Sequence, residues 1–183
     1  MKTRRDFLQR GLQASLLLGM APYARSAEPR MRRTALVGCG WWGMNILQEA
    51  MASGRCKVVG LCDVYERPLQ ASLDEVEQQT GQRPGIYRDY QDMFESEKPE
   101  IVIVATPDHW HALPSIAAMK MGAHVFVEKP TSHTIGESQA MLKVAQETGR
   151  TVQVGLHRRI GPHHVSGMDF LKSGRVGRIG MVR

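Results

Sequence analysis

A doubly wound α/β fold, a parallel sheet with helices on both faces, is what this sequence predicts. Three observations point to it. From residue 34 onward, short apolar runs alternate with segments of helical periodicity. The helical segments end on a glycine, as left-handed helix ends commonly do, and the strand-like runs are too far apart to pair as hairpins. Strands joined through helices pair in parallel, with crossovers covering both faces. The third observation is a glycine-rich turn, Gly38-Cys39-Gly40-Trp41-Trp42-Gly43, at the first strand-to-helix junction.

Taken in order, residues 34–37 read as a short buried strand and 44–53 as a helix with Ile46, Leu47, Ala50 and Met51 on one face, closed by Gly54. A second strand is expected at 57–62. The next helix is expected at 68–80, with Pro68 in its first turn, Leu69, Leu73 and Val76 at helical spacing, and Gly81 beyond its end. Ile86-Tyr87 is a short extended piece before a small helix at 89–96, and the β-branched run 101–105 suits a strand buried on both faces. The cycle repeats: helix 110–121 with Leu113, Ile116 and Ala117 inward and Gly122 after it, strand 125–127, helix 136–148 ended by Gly149, and strand 151–156. Residues 162–173 read as a further helix and 177–183 as the opening strand of another sheet.

The chain has 183 residues, 42% of them hydrophobic and 23% charged, which suits one well-buried core. Its net charge of +6 is confined to the start. Residues 1–33 hold eight Lys or Arg against Asp6 and Glu28, and the remainder carries 16 of each sign. A neutral folded part lacks the electrostatic footprint of nucleic-acid binding, so no such partner is expected. Cys39, Cys56 and Cys62 are odd in number and form no Cys-x-x-Cys pair, which fits neither a disulfide framework nor zinc. They read as small core residues. His109 and His111 around Trp110, and His163-His164, have no further ligand at useful spacing, so no metal is expected.

The first segment reads as an address. Arg4-Arg5 before Phe7-Leu8, a weakly apolar stretch at 11–21 and a Pro/Ala/Ser/Arg tail to Glu28 have the order of a secretory signal, and the arginine pair resembles the twin-arginine motif. Export to the periplasm by that machinery is the expectation. The alternative is a basic, disordered tail. Ala27 stands where cleavage is expected, with Arg25 where a small side chain is usual, so cleavage is left open.

The glycine turn carries the chemistry. Gly38 permits the tight turn, Gly40 lets the backbone approach a pyrophosphate, and Gly43 lets the helix pack close to the strand. The helix N-terminus then faces the anion with unpaired N–H groups. Trp41 and Trp42 either cover the mouth of the cofactor cleft or pack in the core. Asp63, at the end of the second strand, is the acid such a unit requires about twenty residues on, to accept hydrogen bonds from the adenosine ribose. Together these specify a dinucleotide-binding (Rossmann) unit. A carboxylate there repels a 2′-phosphate, so NAD is expected over NADP, while Arg67 nearby keeps NADP open.

Four stretches then resemble the glucose-fructose oxidoreductase, inositol dehydrogenase and rhizopine-catabolism (Gfo/Idh/MocA) family: residues 38–43 with Asp63; Ala105-Thr106-Pro107-Asp108-His109-Trp110-His111; Glu128-Lys129-Pro130; and Gly155-Leu156-His157-Arg158-Arg159. The resemblance covers residues 34–183. It implies an NAD(P)-dependent oxidoreductase acting on a sugar, polyol or inositol-like hydroxyl. It further implies that Lys129 binds and polarises the substrate, that Thr106, Pro107 and His111 line the cofactor cleft, and that Glu128 lies beside the nicotinamide ribose. Arg158 is implied as a substrate contact, with a plain surface basic pair, Arg158-Arg159, as the alternative. Thr106 and Lys129 also fall just past the C-terminal ends of expected strands, where open α/β sheets bind ligands. Lys129-Pro130 is a place for a cis bond.

The expected organisation is a signal and linker at 1–30, a Rossmann domain at 31–156, and at 157–183 a connecting helix with the first strand of a second domain. In the family that domain continues, supplies an acid and a histidine that act with the lysine, and often mediates oligomers. The chain read alone is therefore expected to bind dinucleotide and turn over little. Two alternatives accompany the oxidoreductase: an exported glycoside hydrolase using tightly bound NAD, whose members depart from Glu-Lys-Pro, and a cofactor-binding fragment without catalysis.

Overall fold

Six strands form one sheet: β1 (Arg32–Val37), β2 (Cys56–Cys62), β3 (Gly85–Tyr87), β4 (Ile101–Val104), β5 (His124–Glu128) and β6 (Val152–Gly155). Their order is β3-β2-β1-β4-β5-β6 and every pairing is parallel. The computed structural model describes residues 30–178, 180 and 181. Of the expected export segment, residues 1–29 lie outside the described residues. Chain contacts divide the protein into units at Met1–Met31 and Arg32–Arg183, and the second is the one described below.

The helices are α1 (Trp41–Ala52), α2 (Glu66–Thr80), α3 (Tyr90–Glu97), a 3-10 turn (Asp108–Trp110), α4 (Ala112–Lys120), α5 (Ile135–Thr148), α6 (His157–Ile160) and α7 (Pro162–Lys172). Side chains alternate across the sheet, so β1 and β4 feed two cores at once. Leu36 and Ile103 join Leu61, Leu47 of α1 and Leu69, Leu73 and Val76 of α2 on one face. Ala35, Val37, Val102 and Val104 join Met93 and Phe94 of α3, Met119 of α4 and Met141 and Val144 of α5 on the other. This double burial is why both strands read as unbroken apolar runs. Strand order reverses between β1 and β4, and their C-terminal ends open the crevice that this topology assigns to a ligand.

Three expectations are corrected. Helix α1 starts at Trp41 rather than Met44, because Gly40 is already its extended N-cap residue. Helix α4 starts at Ala112: Pro114 lacks an N–H and is tolerated only in a first turn, so the preceding residues form the 3-10 turn instead. Ala112, Ser115, Ala118 and Met119 are buried, Ile116 and Ala117 half-buried against the core as expected, and Leu113 exposed rather than inward. The strand expected at 177–183 is not formed among the described residues 177, 178, 180 and 181. Gly174 and Gly177 take left-handed φ of 76° and 69°, and the Gly177 N–H donates to the Gly174 carbonyl in a turn rather than to a ladder. The expected helix at 162–173 is present as α7, and none of its side chains is buried.

Candidate dinucleotide site

The three motif glycines differ in what the structure asks of them. Gly38 has φ of 96°, and a Cβ on it would stand 2.6 Å from the Ala105 carbonyl oxygen. A Cβ on Gly43 would meet the Gly38 carbonyl oxygen at 2.1 Å, so α1 lies against the turn with no room for a methyl group. Gly40 is unlike both: its φ of −69° and ψ of 172° suit any residue, and nothing lies within 4 Å of its missing Cβ. Neither backbone nor packing demands glycine there, and the open space stands in front of the N-terminus of α1. The first helical bond is Met44 N–H to the Gly40 carbonyl at 3.0 Å, which leaves the N–H groups of Trp41, Trp42 and Gly43 at the positive end of the helix.

Asp63 closes β2 and is held by backbone on both oxygens. Its Oδ2 accepts from the Cys39 N–H at 2.8 Å and its Oδ1 from the Tyr65 N–H at 2.9 Å. The carboxylate is thus fixed with lone pairs to spare for further donors. Arg67, four residues on, is exposed in the first turn of α2. Cys39 and Cys62 are buried, and burial, with the Asp63 carboxylate second, pushes the Cys62 thiol up to about 12 and that of Cys39 higher still. Both are core residues without thiolate character.

On the other side of the crevice, Thr106 follows β4 with its Oγ1 buried and without a partner. Its carbonyl lies 2.8 Å from His111 Nε2, while His111 Nδ1 lies 2.5 Å from the Pro130 carbonyl. His111 is 1% exposed. Its ring bridges the loops after β4 and β5 rather than offering a free edge to the crevice. Pro107 opens the 3-10 turn, its carbonyl accepting from the Trp110 N–H at 2.8 Å.

The Lys129-Pro130 bond is cis. Glu128 is buried, and its Oε2 accepts from the Lys129 N–H at 3.0 Å. Glu128 pairs in register with Gly155, where a Cβ would fall 2.1 Å from Glu128 Oε1, so the glycine makes room for the carboxylate. Beside them a cleft of about 510 Å³ is lined by Trp42, Lys129, Gly155, Leu156, His157, Arg158 and Arg159. Trp42 packs its ring 5.3 Å from that of His157, and Trp41, 79% exposed, leans on Trp42 at 5.4 Å. Trp42 therefore borders the cleft, while Trp41 is neither in the core nor on its lining. A larger groove, about 860 Å³, opens at the opposite end of the sheet near Lys98, His124 and Arg150, away from every motif residue.

The expected residues thus gather in two adjoining places. Gly38, Gly40, Gly43, Asp63 and Thr106 surround the β1–β4 crevice; Glu128, Lys129, Arg158 and Trp42 adjoin the cleft by β5 and β6, with His111 beneath. The sequence reading named Gly155 and His157 only within a family stretch, without a role, and missed the backbone N–H of Cys39. Only the strand register could have revealed Gly155 opposite Glu128. Among the described residues no three His, Cys, Asp or Glu side chains gather as a metal site, and no helix is long and apolar enough to cross a membrane.

Residues 32–156 match the oxidoreductase family with an NAD-binding Rossmann fold, Gfo/Idh/MocA. The chain belongs to this family. It is 35% identical over 150 residues to glycosyl hydrolase family 109 protein 1 of Akkermansia muciniphila, covering 79% of this chain and 31% of that protein. It is 30% identical over 152 residues to inositol 2-dehydrogenase of Salmonella typhimurium, covering 82% and 44%. The WlbA dehydrogenase of Bordetella pertussis, solved in complex with NADH and UDP-GlcNAcA, superimposes with a TM-score of 0.70 at 30% identity, covering 82% of this chain and 44% of that one. The chain spans less than half the length of these relatives.

The residues present fit the dinucleotide. Gly40 leaves a space that a side chain would fill, a fixed carboxylate stands beside it, and Thr106 Oγ1 is a buried hydroxyl lacking a partner. A buried polar group without a hydrogen bond is costly, and a ligand group is one way to satisfy it.

Proposed function

We propose that this chain is the cofactor-binding part of an oxidoreductase that exchanges a hydride between NAD and a hydroxyl of a sugar, polyol or inositol. The observation that carries this reading is the open space at Gly40 set against Asp63, at the switch point of a parallel sheet. In this reading the N–H groups at the start of α1 hold the pyrophosphate, Asp63 accepts from the adenosine ribose, and Thr106, Pro107 and Glu128 border the nicotinamide half. The bound nicotinamide supplies two-electron chemistry. Lys129 holds the substrate hydroxyl and polarises it, and Arg158 orients the substrate across the cleft. A further acid/base group from the part of the relatives that this chain does not span completes the site, and that part also supports a homo-oligomer.

Calorimetric titration with NAD and NADP tests the reading. Tighter binding of NAD is expected, since the Asp63 carboxylate repels a 2′-phosphate; tighter NADP binding overturns the preference, and no heat from either overturns the function. The 35% identity to a glycosyl hydrolase favours one second reading, NAD-dependent glycoside cleavage. Glu128-Lys129-Pro130 weighs for the dehydrogenase, and release of free sugar from an aryl glycoside would reverse that. The Arg4-Arg5 segment supports twin-arginine export to the periplasm. Retention of an Arg4→Lys, Arg5→Lys double variant in the cytoplasm, with export of the parent, tests it.

A further inference from the structure

We infer that His111 is a positioning residue that sets the two ligand loops of the site relative to one another. The inference rests on reading Thr106 and Lys129 as groups facing cofactor and substrate. The β4–β5 ladder ends at the pair Val104 and Val127. Thr106 and Pro130 lie two and three residues beyond it, where sheet pairing no longer fixes their spacing. His111 spans that gap. Its backbone is anchored at the junction of the 3-10 turn and α4: its N–H donates to the Asp108 carbonyl at 3.2 Å and its carbonyl accepts from Ser115 Oγ at 2.6 Å. From there Nδ1 reaches the Pro130 carbonyl and Nε2 the Thr106 carbonyl.

Packing alone does not require this residue, because an apolar ring of similar size would fill the same volume. What the imidazole adds is one nitrogen for each of the two carbonyls. A neutral ring donates to one of them and a protonated ring to both. Lys129 immediately precedes Pro130, and the unpartnered Oγ1 belongs to Thr106 itself. Movement of either carbonyl therefore displaces a group assigned to the ligand.

Three variants separate the two contacts. His111→Phe keeps the bulk and removes both; His111→Asn keeps an N–H near the place of Nδ1; His111→Gln keeps one near that of Nε2. For each, NAD affinity is measured by calorimetry, the carbonyl ¹³C shifts of Thr106 and Pro130 by NMR, and the melting temperature by scanning calorimetry. Expected are a loss of NAD affinity of about tenfold or more in His111→Phe, restoration of the Pro130 shift by His111→Asn, and restoration of the Thr106 shift by His111→Gln. A purely structural role moves the melting temperature without this split. The inference is overturned if His111→Phe binds NAD like the parent, or if all three variants perturb both carbonyls alike. Should His111→Phe fail to fold, the other two carry the test. Should the parent bind no NAD, the proposed function fails, and the carbonyl pattern alone decides the role of His111.

Discussion

The turn between β1 and α1 and the helix α7 both contain glycine amid apolar residues, yet packing treats them in opposite ways. In the turn, a Cβ on Gly43 would lie 2.1 Å from a backbone oxygen, and Leu36 and Leu47 beside it are fully buried. In α7, Gly167 has nothing within 4 Å of its missing Cβ, and Phe170 and Leu171 remain more than two-fifths exposed. The contrast shows where this unit specifies its own structure. The cofactor end is determined by contacts within residues 32–156, whereas α7 rests on local helix preference, with Pro162 at its first position.

Substitution breaks or sharpens that contrast. The largest effect is expected from Gly43→Ala, where the obstructing atom is backbone and cannot turn aside: a loss of about 3 kcal/mol, read from urea unfolding. A loss under about 1 kcal/mol would show that the turn yields. Asp63→Ala comes next. It leaves the Cys39 and Tyr65 N–H groups without their acceptor and removes the ribose partner, so NAD affinity should fall at least tenfold, about 1.4 kcal/mol, by calorimetry. Unchanged affinity would remove Asp63 from the site.

How much of this was legible in the sequence follows from the same contrast. Gly38, Gly40, Gly43 and Asp63 could be read because each answers to a local demand: a positive φ, an open approach, a close contact, an acid at a strand end. His111 and Gly155 could be placed near the site by resemblance, but their contacts depend on which strand ends adjoin. His111 meets carbonyls 5 and 19 residues away, and Gly155 faces a glutamate brought opposite by the β5–β6 register. On α4, Ile116 and Ala117 pack against the core as expected, while Leu113 is exposed and Ala112, Ser115, Ala118 and Met119 carry the buried face. Residues 177–183 carried a strand-like pattern, but at Gly177 the chain closes a turn onto the Gly174 carbonyl instead.

A separate effect is expected from alkali. In the folded chain Cys62 keeps its proton to about pH 12, against an ordinary value of 9.0, because burial and then Asp63 disfavour the thiolate; Cys39 shifts in the same direction. The unfolded chain therefore loses these protons first. The stabilisation is complete below about pH 9 and is lost as the pH rises toward about 12, where the native thiol also ionises. Urea midpoints should decline across that window, and less steeply in Cys62→Ala; equal slopes would assign the alkaline loss to other groups. The smallest effect is expected in α7: Gly167→Ala, with open space and helical backbone, should gain up to about 1 kcal/mol of helix stability by its intrinsic preference. Any destabilisation there, by the same unfolding measurement, would mean that the face is covered.

The bond from the Cys39 peptide to Asp63 joins the tip of one loop to the end of the neighbouring strand before any ligand arrives. On the proposed reading, the adenosine end of the crevice is therefore preorganised, and the entropy of ordering it belongs to folding rather than to the encounter. Capture at that end then proceeds as rigid docking, with little rearrangement of the main chain.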